Sequence, residues 1–311
     1  MKKLLCLFIL LTIMLSSCAE YDDGKTSVVA TLFPQYDFAR EIAGEYASVE
    51  LLLDFGADAH SYDPTPADVM KIAKADLFIY TGDDMELWAK KLLESEDISK
   101  AIESGSLRVL DLSKHVSLVE MHAEEHDHAH EHTNECEYDS HIWTSVENAT
   151  KICTAILNAL CEVDPENEGH YSGNMAGYFV NLYSLKQSIA ALKDEARLDE
   201  AYFGGSFAFR YMFDEIGIAH HSVFEGCSSH AEASAADIIK ISDEIKSSGA
   251  AYVFYDSPSE KKIADALAAE CGIEVLHLHA IHNITKEEFD SGETYISLMT
   301  KNIEALRKAL S

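Results

Sequence analysis

Two tracts of short apolar runs alternating with helical stretches, separated by one long uninterrupted helical segment, restrict the folds open to this chain more than any other feature. In the first half, the runs from Val28 to Phe33, Val49 to Leu53, Leu77 to Tyr80 and Val109 to Leu112 read as buried strands. Helical patterns from Tyr36 to Gly44, Pro66 to Ala75 and Glu86 to Leu93 lie between them. Strands that are apolar throughout and alternate with helices predict a parallel sheet covered on both faces. From Glu166 to Ala196 there is no proline, and Tyr178, Leu182, Leu185, Ile189 and Leu192 recur at helical spacing,. A helix of about thirty residues is about 45 Å long, enough to join two domains stiffly. The alternation then resumes, with strands near Ala201 to Gly204, Ala219 to Val223, Tyr252 to Tyr255 and Glu274 to His279. Helices are expected from Phe207 to Ile216, Ala235 to Lys246, Glu260 to Glu270 and Thr294 to Leu310. The expected fold is α/β, with two lobes that are each a parallel sheet flanked by helices, residues 26–165 and 197–311, joined by a linking helix over residues 166–196.

Ahead of these lobes, Lys2 and Lys3 precede an apolar run from Leu4 to Leu15 and then Leu15-Ser16-Ser17-Cys18. The run is shorter than the roughly 20 residues of a membrane-crossing helix and leads directly to small residues, so residues 1–18 read as an export signal. Its ending resembles a bacterial lipobox, in which Cys18 carries the lipid. The polar stretch of residues 19–25 reads as a tether. These features place the mature chain outside the cytoplasm, anchored to the bacterial membrane on its periplasmic side or at the cell surface.

The formal charge of −30 argues against nucleic acid and bare anionic lipid as partners,. Its acidity is concentrated where the histidines are. Residues 121–140 form a loop in which His122, His126, His128, His130 and His132 alternate with Glu and Asp, and no Lys or Arg interrupts Lys114 to Lys151. Imidazole suits zinc and copper, and surrounding acid concentrates any divalent cation. The loop is therefore read as a metal-collecting segment that passes zinc to a cleft, against the plainer reading of a solvated acidic insert. Cys136, Cys153, Cys161, Cys227 and Cys271 remain as an odd set without a CxxC spacing. Cys227 with Cys271 is a candidate disulfide, while Cys153 and Cys161 fit a helical pattern as small buried residues.

Ligands of open parallel α/β sheets sit beyond the carboxyl ends of the strands. His60, His141 and His279 all fall at such places. A single histidine in a loop is ordinarily exposed, and one on an apolar strand is ordinarily a hydrogen-bonded core group. The recurrence of histidine at comparable positions is the informative feature.

The chain also resembles the ZnuA-type solute-binding components of ABC importers for zinc and manganese. The resemblance covers nearly all of the mature chain: VVATLFPQYDFAREIAG, LLLDFGADAHSYDPTPADVMKIAKADLFIYTG, HIWTSVENA, DPEN, FAFRYMFDEIGI, CSSHAEAS, FYDSP, LHLHAIHN and TYISLMTKNIEAL. It implies two α/β lobes, a rigid joining helix and one metal ion held between the lobes by a monomer that delivers it to a membrane permease and its ATPase. Carried over by position, His60 and His141 match the family's ligands from the first lobe. A third histidine position falls on Ser206, and the aspartate position of the second lobe falls on His279. The implied ligands are His60, His141 and His279, with Asp256, Glu225 or Glu232 as the fourth donor or as support. His230 and His277 rank lower, and His282 is read as a cap on the final loop. Three imidazoles suit Zn2+ better than manganese, which favours carboxylate oxygen. Manganese or iron import is the alternative within the class. A zinc hydrolase is disfavoured because the sequence has no HExxH or GxSxG; a surface adhesin is the remaining reading.

Overall fold

The computed structural model describes residues 24–121, 137–224, 234–257 and 259–311. The first sheet contains β1 (Thr26–Ala30), β2 (Ala47–Leu51), β3 (Leu77–Tyr80) and β4 (Arg108–Asp111), in the order β2-β1-β3-β4. The second contains β5 (Glu200–Phe203), β6 (Ala219–Ser222), β7 (Tyr252–Tyr255) and β8 (Glu274–His277), in the order β6-β5-β7-β8. Every pairing within them is parallel. Each sheet thus places its first strand inside, and the crossovers on either side put the loops that follow the strands along one edge. Leu77, Phe78, Ile79 and Tyr80 of β3 are all buried, as a strand covered on both faces requires,.

Local sequence explains most element starts. Helix α1 (Phe33–Ala43) begins where Pro34 fits a first turn and Gln35 Oε1 accepts the Leu32 N–H at 2.9 Å,. The expected strand through Phe33 therefore ends at Ala30. Helix α2 (Pro66–Lys74) has Pro66 in its first turn, and Thr65 and Asp68 satisfy each other's backbone N–H groups,. After β3, the expected helix through Leu93 is limited to α3 (Ala89–Leu93) and is followed by α4 (Glu96–Ser104), which ends in a left-handed Gly105,. Helix α5 (Val146–Val163) starts at Ser145, whose Oγ accepts the Asn148 N–H at 3.0 Å,.

The long helix is α6 (Glu168–Glu195), about 42 Å at 1.5 Å per residue,. It buries Tyr171, Met175, Tyr178, Leu182, Leu185, Ile189 and Leu192, a stripe stepping alternately by three and four residues,. The second lobe adds α7 (Arg210–Ile216), α8 (Ala235–Ser248), α9 (Lys261–Cys271), α10 (Lys286–Asp290) and α11 (Tyr295–Leu310). Helix α11 packs along α6 and returns to the first lobe. Tyr295 is fully buried against Phe38 with ring centroids 4.6 Å apart, and its N–H donates to Asp37 Oδ2 at 2.8 Å. One core consequently includes Val28 and Phe78 of the first sheet, Leu182 of α6, and Phe203 and Leu306 of the second half. A smaller cluster around Val253, Ile245 and Leu267 lies under the second sheet. Among the described residues, no helix is long and apolar enough to cross a membrane. Cys153 is buried in α5 as expected, and Cys271 contacts Ser242 Oγ at 3.3 Å; Cys227 lies outside the described residues.

Candidate metal centre

The first two histidines come from loops that leave the first sheet. His60 follows β2 by way of a turn in which Asp58 Oδ1 accepts the His60 N–H at 2.9 Å. His141 precedes a single turn of 3₁₀ helix ahead of α5. The two rings stand 5.8 Å apart, centroid to centroid, at an interplanar angle of 62°.

Asp139 fixes the orientation of His141. Its Oδ1 accepts the His141 N–H at 2.8 Å and lies 3.0 Å from His141 Nδ1. With the proton on Nδ1, the lone pair on Nε2 is free for a metal, the usual arrangement of a carboxylate-supported ligand. The hydrogen bonds from His141 lower the Asp139 pKa against the rise that burial causes, keeping the carboxylate ionised. Tyr211 Oη in turn donates to the Asp139 carbonyl at 2.6 Å, so a residue of the second lobe secures this turn.

The second lobe brings His282 on the loop that follows β8. Its imidazole is pushed down to about 3, first by burial and then by the neighbouring charges of His141, His279 and His60. His60 is likewise lowered to about 4 by burial and by His141, partly offset by Asp58 and Asp139. Both rings are therefore neutral near pH 7, as metal binding requires. The loop carrying His282 is tied to the first lobe. Phe33 N–H donates to the His282 carbonyl at 3.2 Å, and Trp143 Nε1 donates to the Ala280 carbonyl at 2.8 Å. Asn283 Nδ2 donates to the carbonyls of Asp54 and Ala57, both at 2.8 Å. Between these ties Ile281 has φ +64°, a left-handed conformation that costs a β-branched residue about 1–3 kcal/mol.

His279, expected as the third ligand, lies beyond the end of β8, and both its ring nitrogens have other partners. Nδ1 accepts the Ile281 N–H at 2.9 Å, and Nε2 lies 3.5 Å from Glu288 Oε1. The hydrogen bond from His279 is the main reason that Glu288 is lowered to about 2. Asp256 is also directed elsewhere. Burial and the adjacent Glu260 raise its carboxyl well above the usual carboxylate range. Glu260 Oε1 accepts from the N–H and Oγ of Ser206 at 3.1 and 2.7 Å, which accounts for the serine where a ligating histidine was expected. His277 Nε2 lies 3.3 Å from the Asp256 carbonyl and stacks on Tyr255.

Glu225, Glu232 and His230 lie outside the described residues, as do His122, His126, His128, His130, His132 and Cys18. Among the described residues, no three His, Cys, Asp or Glu side chains are gathered tightly enough to hold an ion as they stand. The chemistry of the donors nevertheless suits one: His60 and His282 are neutral near pH 7, and Asp139 supports the ring of His141 at Nδ1,.

Residues 28–309 match the model of the family described as zinc-uptake complex component A, periplasmic. The chain belongs to the ZnuA family. It is 31% identical over 314 residues to the zinc-binding lipoprotein AdcA of Streptococcus pneumoniae, covering 99% of this chain and 61% of that protein. It is also 31% identical over 294 residues to the high-affinity zinc uptake system protein ZnuA of Bacillus subtilis, covering 94% of this chain and 90% of that one. Among solved structures, the Zn(II)-bound ZnuA-like domain of S. pneumoniae AdcA superposes with a TM-score of 0.76 at 28% identity, covering 92% of this chain and 99% of that domain. The chain thus spans about three fifths of AdcA, the part corresponding to the ZnuA-like fold. The two-lobed α/β fold expected from the sequence is the fold of this family.

Proposed function

We propose that this chain is an extracytoplasmic zinc-binding protein, a carrier rather than an enzyme, which captures Zn2+ and delivers it to an ABC permease and its ATPase. The observation that carries the proposal is the pairing of His60 with His141 at 5.8 Å, with Asp139 holding His141 Nδ1 and leaving Nε2 free. His282 completes a three-imidazole set from the second lobe, and a water or a further protein donor takes the fourth position that zinc prefers. Three imidazole nitrogen donors favour zinc over manganese, whose sites are richer in carboxylate oxygen. Family membership and the zinc-related names of the relatives support the same reading.

In this reading residues 26–165 and 197–311 act as two lobes, the helix of residues 166–196 braces them, and the metal enters between them. A lipid on Cys18 holds the monomer at the outer face of the cell membrane, and residues 121–140 collect zinc. The test is metal content with competitive zinc and manganese titration of the mature protein, with and without the histidine-rich loop. One tight zinc equivalent that survives loop deletion and is lost in His60→Ala and His282→Ala is the expected result. A preference for manganese, or full affinity in either variant, would overturn the assignment.

A further inference from the structure

The turn that carries His282 is held in an unfavourable conformation by the ring of His279. Among the described residues, Ile281 is the only one other than glycine with a positive φ, and its side chain is completely buried. A buried β-branched side chain does not adopt this conformation by preference, so neighbouring contacts must impose it. They can be named. Asn302 of α11 grips the backbone of His279 from both sides, accepting its N–H at 2.7 Å and donating to its carbonyl at 2.8 Å. The His279 ring then folds over the turn, and Nδ1 accepts the N–H of Ile281 two residues on. An aspartate or asparagine oxygen makes the same bond in an Asx-turn. Beyond Ile281, Phe33 and Asn283 hold the chain against the first lobe.

We infer that His279 is a positioning residue for metal capture: its Nδ1 holds Ile281 in the left-handed conformation that fixes the turn carrying His282 against the first lobe. A ligand role would need one of its nitrogens. Coordination through Nδ1 would release the Ile281 N–H, and coordination through Nε2 would displace the Glu288 contact. The inference rests on the reading of His282 as a zinc ligand, and it predicts that a short acceptor of different chemistry can replace the imidazole.

The test compares His279→Asn with His279→Leu in the mature protein, with His60→Ala alongside. Zinc affinity is measured by chelator competition, cobalt(II) absorption reports the donor set, and melting of the metal-free protein reports folding. His279→Asn keeps an acceptor, so zinc affinity within about threefold of the unsubstituted protein and an unchanged cobalt spectrum are expected. His279→Leu removes it, and an affinity loss of about tenfold or more with altered cobalt bands is expected, the range seen when the support of a ligand is lost. If His279→Leu does not fold, His279→Ala replaces it in the same comparison. Equal losses in both variants, with the cobalt spectrum changed in His279→Asn, would make His279 a ligand and overturn the inference. Full affinity in the variant lacking the acceptor would overturn it as well. Retention of full affinity in His60→Ala would instead remove the cleft reading, whatever the His279 variants do.

Discussion

At the scale of single residues, burial determines which form of each histidine the fold can use. His60 and His282 are lowered to about 4 and about 3, chiefly by loss of hydration. In the unfolded chain both would titrate near 6.5. As pH falls below 7, the unfolded state takes up protons at these two positions before the folded state does. Stability therefore increases with pH across this window, and these groups add no cost above about pH 7. The cost grows as pH falls through 6.5 toward 4. For the zinc-free protein, urea unfolding between pH 7 and 4.5 should show stability falling less steeply in His282→Asn than in the unsubstituted chain. An unchanged slope would show that His282 is hydrated in the folded state.

At the scale of elements, the second sheet and its covering helix approach so closely that a methyl group does not fit between them. Gly204, directly after β5, would place a Cβ 2.5 Å from the Ala264 Cα of α9. That contact is with backbone, so rotation of a side chain cannot relieve it. Gly204→Ala should therefore cost about 1–3 kcal/mol, the usual price of overpacking a filled core, measured as a lower urea midpoint at unchanged slope. The same region holds Ser206 against Glu260, so the variant should disturb the second lobe while leaving the Asp139–His141 contact of the first lobe in place.

At the scale of the whole molecule, the two sheets share one core and the metal-site loop crosses from one lobe to the other. Asn283 ties this loop to the carbonyls of Asp54 and Ala57, Trp143 ties it through Ala280, and Tyr295 joins α11 to Asp37 of α1. Such continuity predicts one cooperative unfolding transition rather than two, observed as coincident fluorescence and circular dichroism curves. Asn283→Ala leaves two carbonyls short of a donor. It should cost about 1–3 kcal/mol and hasten zinc release to a chelator, because the turn carrying His282 loses its hold on the first lobe. Zinc release at the original rate would separate loop anchoring from metal retention.

Periodicity and residue type were enough to read the parallel sheets and the long helix with its stripe from Tyr178 to Leu192, while the pairing of His60 with His141 came from the family resemblance. The signals of sheet and helix are local or repeat at a fixed interval. The helix from Glu96 to Ser104 was harder to read because it follows the short Ala89–Leu93 turn with little to separate them. The choice between His279 and His282 was beyond sequence reasoning for a different reason. They lie three residues apart in one short loop, and spacing says nothing about which ring turns toward the other lobe. The path of that loop comes from the left-handed backbone at Ile281 and from contacts with Phe33, Trp143 and Asn302, up to 249 residues away in the chain. The sequence by itself determined the layers and the brace. Only the tertiary structure decided how the loop of His279 and His282 is held against the first lobe, because contacts between distant segments fix its backbone.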